Sequence, residues 1–291
     1  MSLISVLPQY LIPKQALTAL AGSFARAALG STTTSVIRWF VQRYNVNMAE
    51  AANPDIASYA TFNDFFTRAL KTGARPLAQA PWLCPVDGAI SQIGAIESDQ
   101  IFQAKGHSYS TTALVGGDRT LAAQFENGHF ATIYLSPRDY HRIHMPCDGV
   151  LRRMIYVPGD LFSVNPTTAR GVPGLFARNE RVVCVFDTPH GAMVLVLVGA
   201  TIVGSMATVW HGVVNPPRTG TLWEKHYENK EGKEGKEGKD AITLRQGDEM
   251  GRFMLGSTVV MLFPQSAGMA FHPDWKAALP VRMGEIMGTC D

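Results

Sequence analysis

The sequence predicts an α+β fold, with N-terminal amphipathic helices followed by a β-rich catalytic domain. Three observations predict it. Apolar residues recur at helical spacing in the first 45 residues. From about Cys84 the texture changes to short branched or alternating runs punctuated by Gly and Pro. A chain of 291 residues, 46% hydrophobic and 17% charged, is long and apolar enough to bury a substantial core.

In the first helical segment, between Gln15 and Leu29, Leu17, Leu20, Ala21, Phe24, Ala27 and Ala28 fall on one face. In the second, Val36, Ile37, Phe40 and Val41 do the same, with Thr32 to Thr34 as the expected cap. No acidic residue occurs from Met1 to Met48, whereas Lys14, Arg26, Arg38 and Arg43 are basic. Two readings follow: the apolar faces pack on the domain, or they lie on an anionic membrane surface. Neither segment is long enough to span a bilayer.

After Phe62-Asn63-Asp64-Phe65-Phe66-Thr67-Arg68, Arg75-Pro76-Leu77 ends the helical region, and the boundary is placed near residue 80, giving regions 1–80 and 81–291. Strands are expected at Gly88 to Ile96, His129 to Leu135, Gly149 to Val157 and Arg181 to Phe186. Ala192 to Trp210 carries no charge over a length that crosses a bilayer. Its Val/Ile/Thr content and Gly199 and Gly204 instead suit two buried strands joined by a turn. Lys230 to Asp240, KEGKEGKEGKD, reads as a solvated spacer.

The net charge of +2, without a basic stripe interleaved with aromatics, argues against nucleic acid as a partner. Four cysteines without a C-x-x-C pair, and no signal-peptide layout, suit a reducing cytosolic setting. His141, His144 and Cys147 have spacing that invites zinc. However, Pro137 and Pro146 interrupt any regular helix, and no fourth ligand is apparent.

In GRFMLGSTVVMLF, Gly251 to Phe263, small and polar residues interrupt an apolar run. A bulge is one account of the break. A nucleophilic Ser257 is another, with Asp87 of PVDG and the histidines of YLSPRDYHRIHMP as candidate partners. A Ser-His-Asp hydrolase would place its serine in a G-x-S-x-G elbow, and the residues around Ser257 read Leu-Gly-Ser-Thr-Val.

Together YLSPRDYHRIHMPCDG, PVDG, GRFMLGSTVV, FNDFFTR and GATIVGSMATVWHG resemble, in order and spacing, the signature segments of the bacterial, membrane-associated phosphatidylserine decarboxylase proenzymes, over essentially the whole chain. The resemblance implies self-cleavage between Gly256 and Ser257. The products are a β-chain of residues 1–256 and an α-chain of residues 257–291, with Ser257 becoming a covalent pyruvoyl group. Asp87, His144 and Ser257 would form the self-cleaving triad, His144 taking the Ser257 proton and Asp87 holding the imidazole. His141 would serve decarboxylation as proton donor or positioning group.

The resemblance further implies a Schiff base between pyruvoyl and the serine amine of phosphatidylserine, yielding phosphatidylethanolamine without metal, nicotinamide or pyridoxal. It implies that the β/α heterodimer pairs further as a homodimer, and that the enzyme sits peripherally on the cytoplasmic side of the cell membrane. A lipid substrate favours the membrane reading of the N-terminal helices. The rivals are a pyruvoyl-dependent decarboxylase of a soluble amino acid and a non-catalytic membrane-surface module.

Overall fold

The computed structural model describes residues 6–201, 205–216, 218–227, 241–254 and 257–290, with the side chain of Ser257 outside the description. The KEGKEGKEGKD segment, Gly204 and Gly256 lie outside the described residues. The chain is helical at its N-terminus and β-rich thereafter, as the sequence predicts.

Four helices open the described chain: α1 (Pro8–Leu11), α2 (Lys14–Arg26), α3 (Ser31–Tyr44) and α4 (Phe62–Phe66). The N-cap of α3 is Gly30 rather than one of the threonines, and Thr33 instead accepts the Leu29 N–H on its hydroxyl at 3.1 Å. A capping box fixes α4: the Thr61 hydroxyl accepts the Asp64 N–H, and the Asp64 carboxylate accepts the Thr61 N–H, each at 3.1 Å.

The two long helices use their apolar faces differently. Ile37 of α3 is fully buried, and Phe40 meets Phe62, Phe65 and Phe66 edge-on at centroid distances of 5.1, 5.8 and 6.0 Å. On α2, by contrast, Leu20 and Phe24 remain 71% and 42% exposed.

The strands are β1 (Trp82–Leu83), β2 (Gly88–Ala95), β3 (Gln100–Ala104), β4 (His107–Ser110), β5 (His129–Leu135), β6 (Arg142–His144), β7 (Gly149–Val157), β8 (Arg181–Thr188) and β9 (Gly191–Val198). They continue with β10 (Met206–Thr208), β11 (Gly212–Asn215), β12 (Trp223–His226), β13 (Thr243–Leu244), β14 (Glu249–Phe253), β15 (Ser257–Phe263), β16 (Met269–Phe271), β17 (Pro280–Val281) and β18 (Ile286–Cys290).

The largest sheet runs β12-β7-β8-β9-β15-β5-β2-β17, with β13 also on β7, and all its pairings are antiparallel. A second sheet runs β11-β10-β14-β6 and a third β1-β18-β16.

Both faces of the large sheet are buried, which explains why its strands read as continuous apolar runs instead of alternating ones. Along β15, Val259, Met261 and Phe263 enter one core, with Ile133 of β5, Leu195 of β9 and, from the smaller sheets, Met250 and Met287. Val260 and Leu262 enter the opposite core with Val194, Val196, Leu121 and Phe176. Val259 to Phe263 are all fully buried, each contributing on the order of 1.5–3 kcal/mol. Ala192 to Val198 lies in β9 and Met206 to Thr208 in β10; among the described residues no helix is long and apolar enough to cross a membrane.

At the start of β2 the backbone of β5 approaches so closely that a Cβ on Gly88 would lie 2.4 Å from the Tyr134 carbonyl oxygen. Gly88→Ala is therefore expected to force the strands apart and cost about 1–3 kcal/mol, read as a lowered urea unfolding midpoint.

Candidate active site

Three sheet elements bring the chemistry-bearing residues together. Antiparallel pairing places Ser257 opposite Leu135 and Thr258 opposite Tyr134, so β15 begins where β5 ends. The loop from Ser136 to His141 leads into β6, which pairs with β14. The Phe253 N–H donates to the His141 carbonyl at 3.0 Å, so His141 lies beside the strand that runs into Leu255-Gly256-Ser257.

His141 is fully buried. Its Nδ1 is 2.8 Å from the Asp139 carbonyl, which makes Nδ1–H the donor and leaves the lone pair on Nε2. That Nε2 has no hydrogen-bond partner among the described residues. The ring packs on Phe66 of α4 at a centroid distance of 4.1 Å. Burial, followed by the nearby Arg68 charge, pushes its pKa down to about 3, so the imidazole is neutral.

His144 is nearly buried and likewise neutral, its pKa lowered chiefly by burial. Its Nδ1–H donates to the Gly247 carbonyl at 2.7 Å, and its Nε2 faces the Tyr140 hydroxyl at 3.0 Å.

Asp87 closes β1 toward β2 and is held by other partners. Arg75 reaches both carboxylate oxygens, from Nε at 2.9 and 3.1 Å and from Nη2 at 2.5 Å, and the Met283 N–H donates to Oδ1 at 3.0 Å. Arg75 also pairs with Glu50 at 2.7 Å, tying the helical region to the sheets, and these bonds hold its pKa above the usual guanidinium range. Asp87, expected to hold the His144 imidazole, makes its hydrogen bonds elsewhere, and the Gly247 carbonyl receives the His144 Nδ1–H and fixes the tautomer. The Asp87 charge favours the His144 cation through space. The physical reason is that Arg75 and Met283 occupy the carboxylate.

The family model for phosphatidylserine decarboxylase matches residues 62–289, and a model described as PSD matches residues 4–45. The phosphatidylserine decarboxylase proenzyme of Dechloromonas aromatica is 72% identical over 286 residues, covering 98% of each chain. That of Delftia acidovorans is 71% identical over 284 residues, covering 98% of this chain and 96% of its own. The Herminiimonas arsenicoxydans proenzyme is 69% identical over 284 residues, covering 98% and 93%.

The chain belongs to the phosphatidylserine decarboxylase family. It is an enzyme, a carboxy-lyase. Within this decarboxylase the structure brings His141, His144 and Asp87 to one region, next to the start of β15, while Gly256 and the Ser257 side chain lie outside the described residues. Cys147 is buried in the core beneath the sheets, and among the described residues no group of three or more His, Cys, Asp or Glu side chains is arranged to hold a metal.

Gly247, Arg75 and Phe66 were not legible as site residues, since each acts through a contact with a residue well separated along the chain. The residue within reach of the sequence was Tyr140, which sits between Asp139 and His141 and four residues before His144.

Both histidines are neutral when folded and protonate freely when unfolded, so the unfolded state binds more protons below pH 6.5. For His141 that stability is present above pH 6.5 and is lost as pH falls toward 3, by up to about 1.4 kcal/mol per pH unit, and the lowered pKa of His144 acts in the same direction. Urea unfolding between pH 7 and pH 4.5 should show a steeper loss for wild type than for His141→Phe; parallel curves would refute the depressed pKa.

Proposed function

We propose that this protein decarboxylates phosphatidylserine to phosphatidylethanolamine after cutting itself between Gly256 and Ser257. The observation that carries the reading is the buried, neutral His141, whose Nε2 has no hydrogen-bond partner among the described residues and whose carbonyl accepts the N–H of Phe253, shortly before the proposed scissile bond. Family membership supplies the substrate class.

Ser257 Oγ is the nucleophile and the Gly256 carbonyl its target; the amide shifts to an ester, elimination releases the Gly256 carboxylate and leaves dehydroalanine, and water hydrolyses that residue to the pyruvoyl group with loss of ammonia. Only a serine-like side chain has this chemistry, and glycine at 256 leaves the carbonyl without a Cβ beside it. His144 supplies the base. With its Nδ1–H on Gly247, its accepting end is Nε2, which Tyr140 caps. The Asp87 charge stabilises the cation that forms.

The Nε2 of His141, without a partner among the described residues, fits a site that receives a reacting group, and the pairing of β15 on both sides fits a new N-terminus that must stay in place. When formed, the pyruvoyl group supplies the electron sink for loss of CO2. His141, fully buried and held at Nδ1, positions the substrate and handles a proton at Nε2 in a site from which bulk water is excluded.

The N-terminus suits a lipid substrate. Leu11 and Leu20 are 83% and 71% exposed, with Leu7, Ile12, Leu17, Phe24 and Trp39 exposed near them, and Arg26, Arg38 and Arg43 are exposed cations. Lys14 departs from that set: its Nζ bonds to the Gln9 carbonyl and lies 3.8 Å above the Phe162 ring. This surface favours phosphatidylserine over a soluble amino acid as substrate, and peripheral attachment at the cytoplasmic membrane face as location.

Mass spectrometry of the purified protein should find two chains, the smaller beginning at Ser257 with a blocked pyruvoyl end. Ser257→Ala should leave an uncut, inactive 31.7 kDa chain; efficient cutting by that variant would refute the assignment. His144→Ala should block the cut, whereas His141→Ala should be cut yet lose about 100-fold or more in turnover. For the membrane, neutralising Arg26, Arg38 and Arg43 together should weaken sedimentation with phosphatidylserine vesicles by about 100-fold at low salt, with little effect on neutral vesicles. Unchanged binding would place the attachment elsewhere.

A further inference from the structure

A cavity of about 510 Å³ opens beside the start of β15, its wall formed in part by Asp87, Tyr134, Ser136 and Tyr140. Four arginines line it, and three have carboxylate partners: Arg75 with Asp87 and Glu50, Arg138 with Asp139 at 3.8 Å, and Arg282 with Glu50 at 3.8 Å. The fourth, Arg68, is 5% exposed and has no ion pair among the described residues. Its Nη1 and Nη2 reach the carbonyls of Phe65 and Arg138 at only 3.5 and 3.4 Å, and its Nε has no partner among the described residues.

Asp87, Glu50 and Asp139 act on this buried guanidinium only through space, so it stays incompletely compensated unless a ligand supplies a partner in contact, and long bonds to two neutral carbonyls leave most of its donor capacity unused. Burial lowers its pKa, yet the group stays a cation at any physiological pH. Its charge also depresses His141, so the unpaired cation and the unpaired Nε2 belong to one neighbourhood.

Resting on the function proposed above, we infer that Arg68 is the anchor for the phosphodiester of the lipid headgroup. The substrate carries two anions, a phosphodiester and a carboxylate. A guanidinium on the carboxylate would stabilise the charge that is lost as CO2 departs, and so favour the ground state over the transition state. A phosphodiester keeps its charge throughout, and its oxygens match the guanidinium fork. Arg68 is therefore a binding residue, and its removal acts on KM more than on kcat.

The test uses the self-cleaved, full-length protein with Arg68→Met, which keeps the side-chain length and removes the charge, and Arg68→Lys, which keeps the charge without the fork. Glycerophosphoethanolamine carries the phosphodiester and no carboxylate; O-methylserine carries the carboxylate and no phosphodiester. Arg68→Met is expected to raise KM for phosphatidylserine and the inhibition constant of glycerophosphoethanolamine by about 10- to 100-fold. It should keep kcat within about threefold and leave inhibition by O-methylserine unchanged, with Arg68→Lys intermediate.

Equal inhibition of wild type and Arg68→Met by glycerophosphoethanolamine would overturn the inference, as would selective loss of O-methylserine inhibition, which assigns the guanidinium to the carboxylate. A thermal-shift arm is independent of turnover: glycerophosphoethanolamine should raise the Tm of wild type and not of Arg68→Met, and equal shifts would overturn the inference. If wild type turns over no phosphatidylserine yet shows this difference in Tm, the functional reading fails and the anion site stands. Arg68→Met should itself fold at least as stably as wild type; unfolding would show that the charge is already paired within the protein and would overturn the inference.

Discussion

The structure depends on the two-sided pairing of β15. Thr258 to Leu262 hydrogen-bond to β9 on one edge and β5 on the other, and the side chains from Val259 to Phe263 are lost to solvent in two opposed cores. A strand held in this way does not rely on its covalent link to Gly256 for its position. The cut proposed above would leave the backbone ladder, the packing on both faces and the register untouched, and the new end would stay at the rim of the sheet beside Leu135. A chain that makes its reactive group by cutting itself needs such a strand, because a flexible end would carry the group out of the site.

Around that rim the charges are arranged unequally. Glu50, Arg75 and Asp87 form a satisfied chain across the boundary between helices and sheets, which fixes the carboxylate and keeps its charge near His144. The histidines are stripped of water and neutral, so each offers a lone pair rather than a proton. Backbone carbonyls, of Asp139 and Gly247, decide which nitrogen offers it. The division of work is therefore set by main-chain geometry at positions where the side chains carry no catalytic signature.

The N-terminal helices show how one sequence pattern serves two ends. Both α2 and α3 are amphipathic, but α3 sits where the aromatic cluster of α4 receives Ile37 and Phe40, and α2 presents Leu20 and Phe24 outward. The same α4 carries Phe66 onto His141, so the segment that anchors the helical region also walls the active site. Placement of the N-terminal helices and placement of the His141 imidazole are in this way mechanically linked.

The sequence by itself determined the order of helices and strands, the apolar runs of β5, β7, β8 and β9, and the chemistry-bearing residues of the HRxH, PVDG and LGST segments. These are local properties: periodicity, turn residues and functional groups are written along a short stretch of chain. Which apolar helix face is covered, which carbonyl holds each imidazole, that Asp87 pairs with Arg75, and that Arg68 has no ion pair among the described residues were decided only by the tertiary structure. Each of those depends on groups brought together from distant positions, such as His144 with Gly247 or Phe66 with His141, and on the withdrawal of water that comes with their burial. No periodicity encodes a desolvated charge.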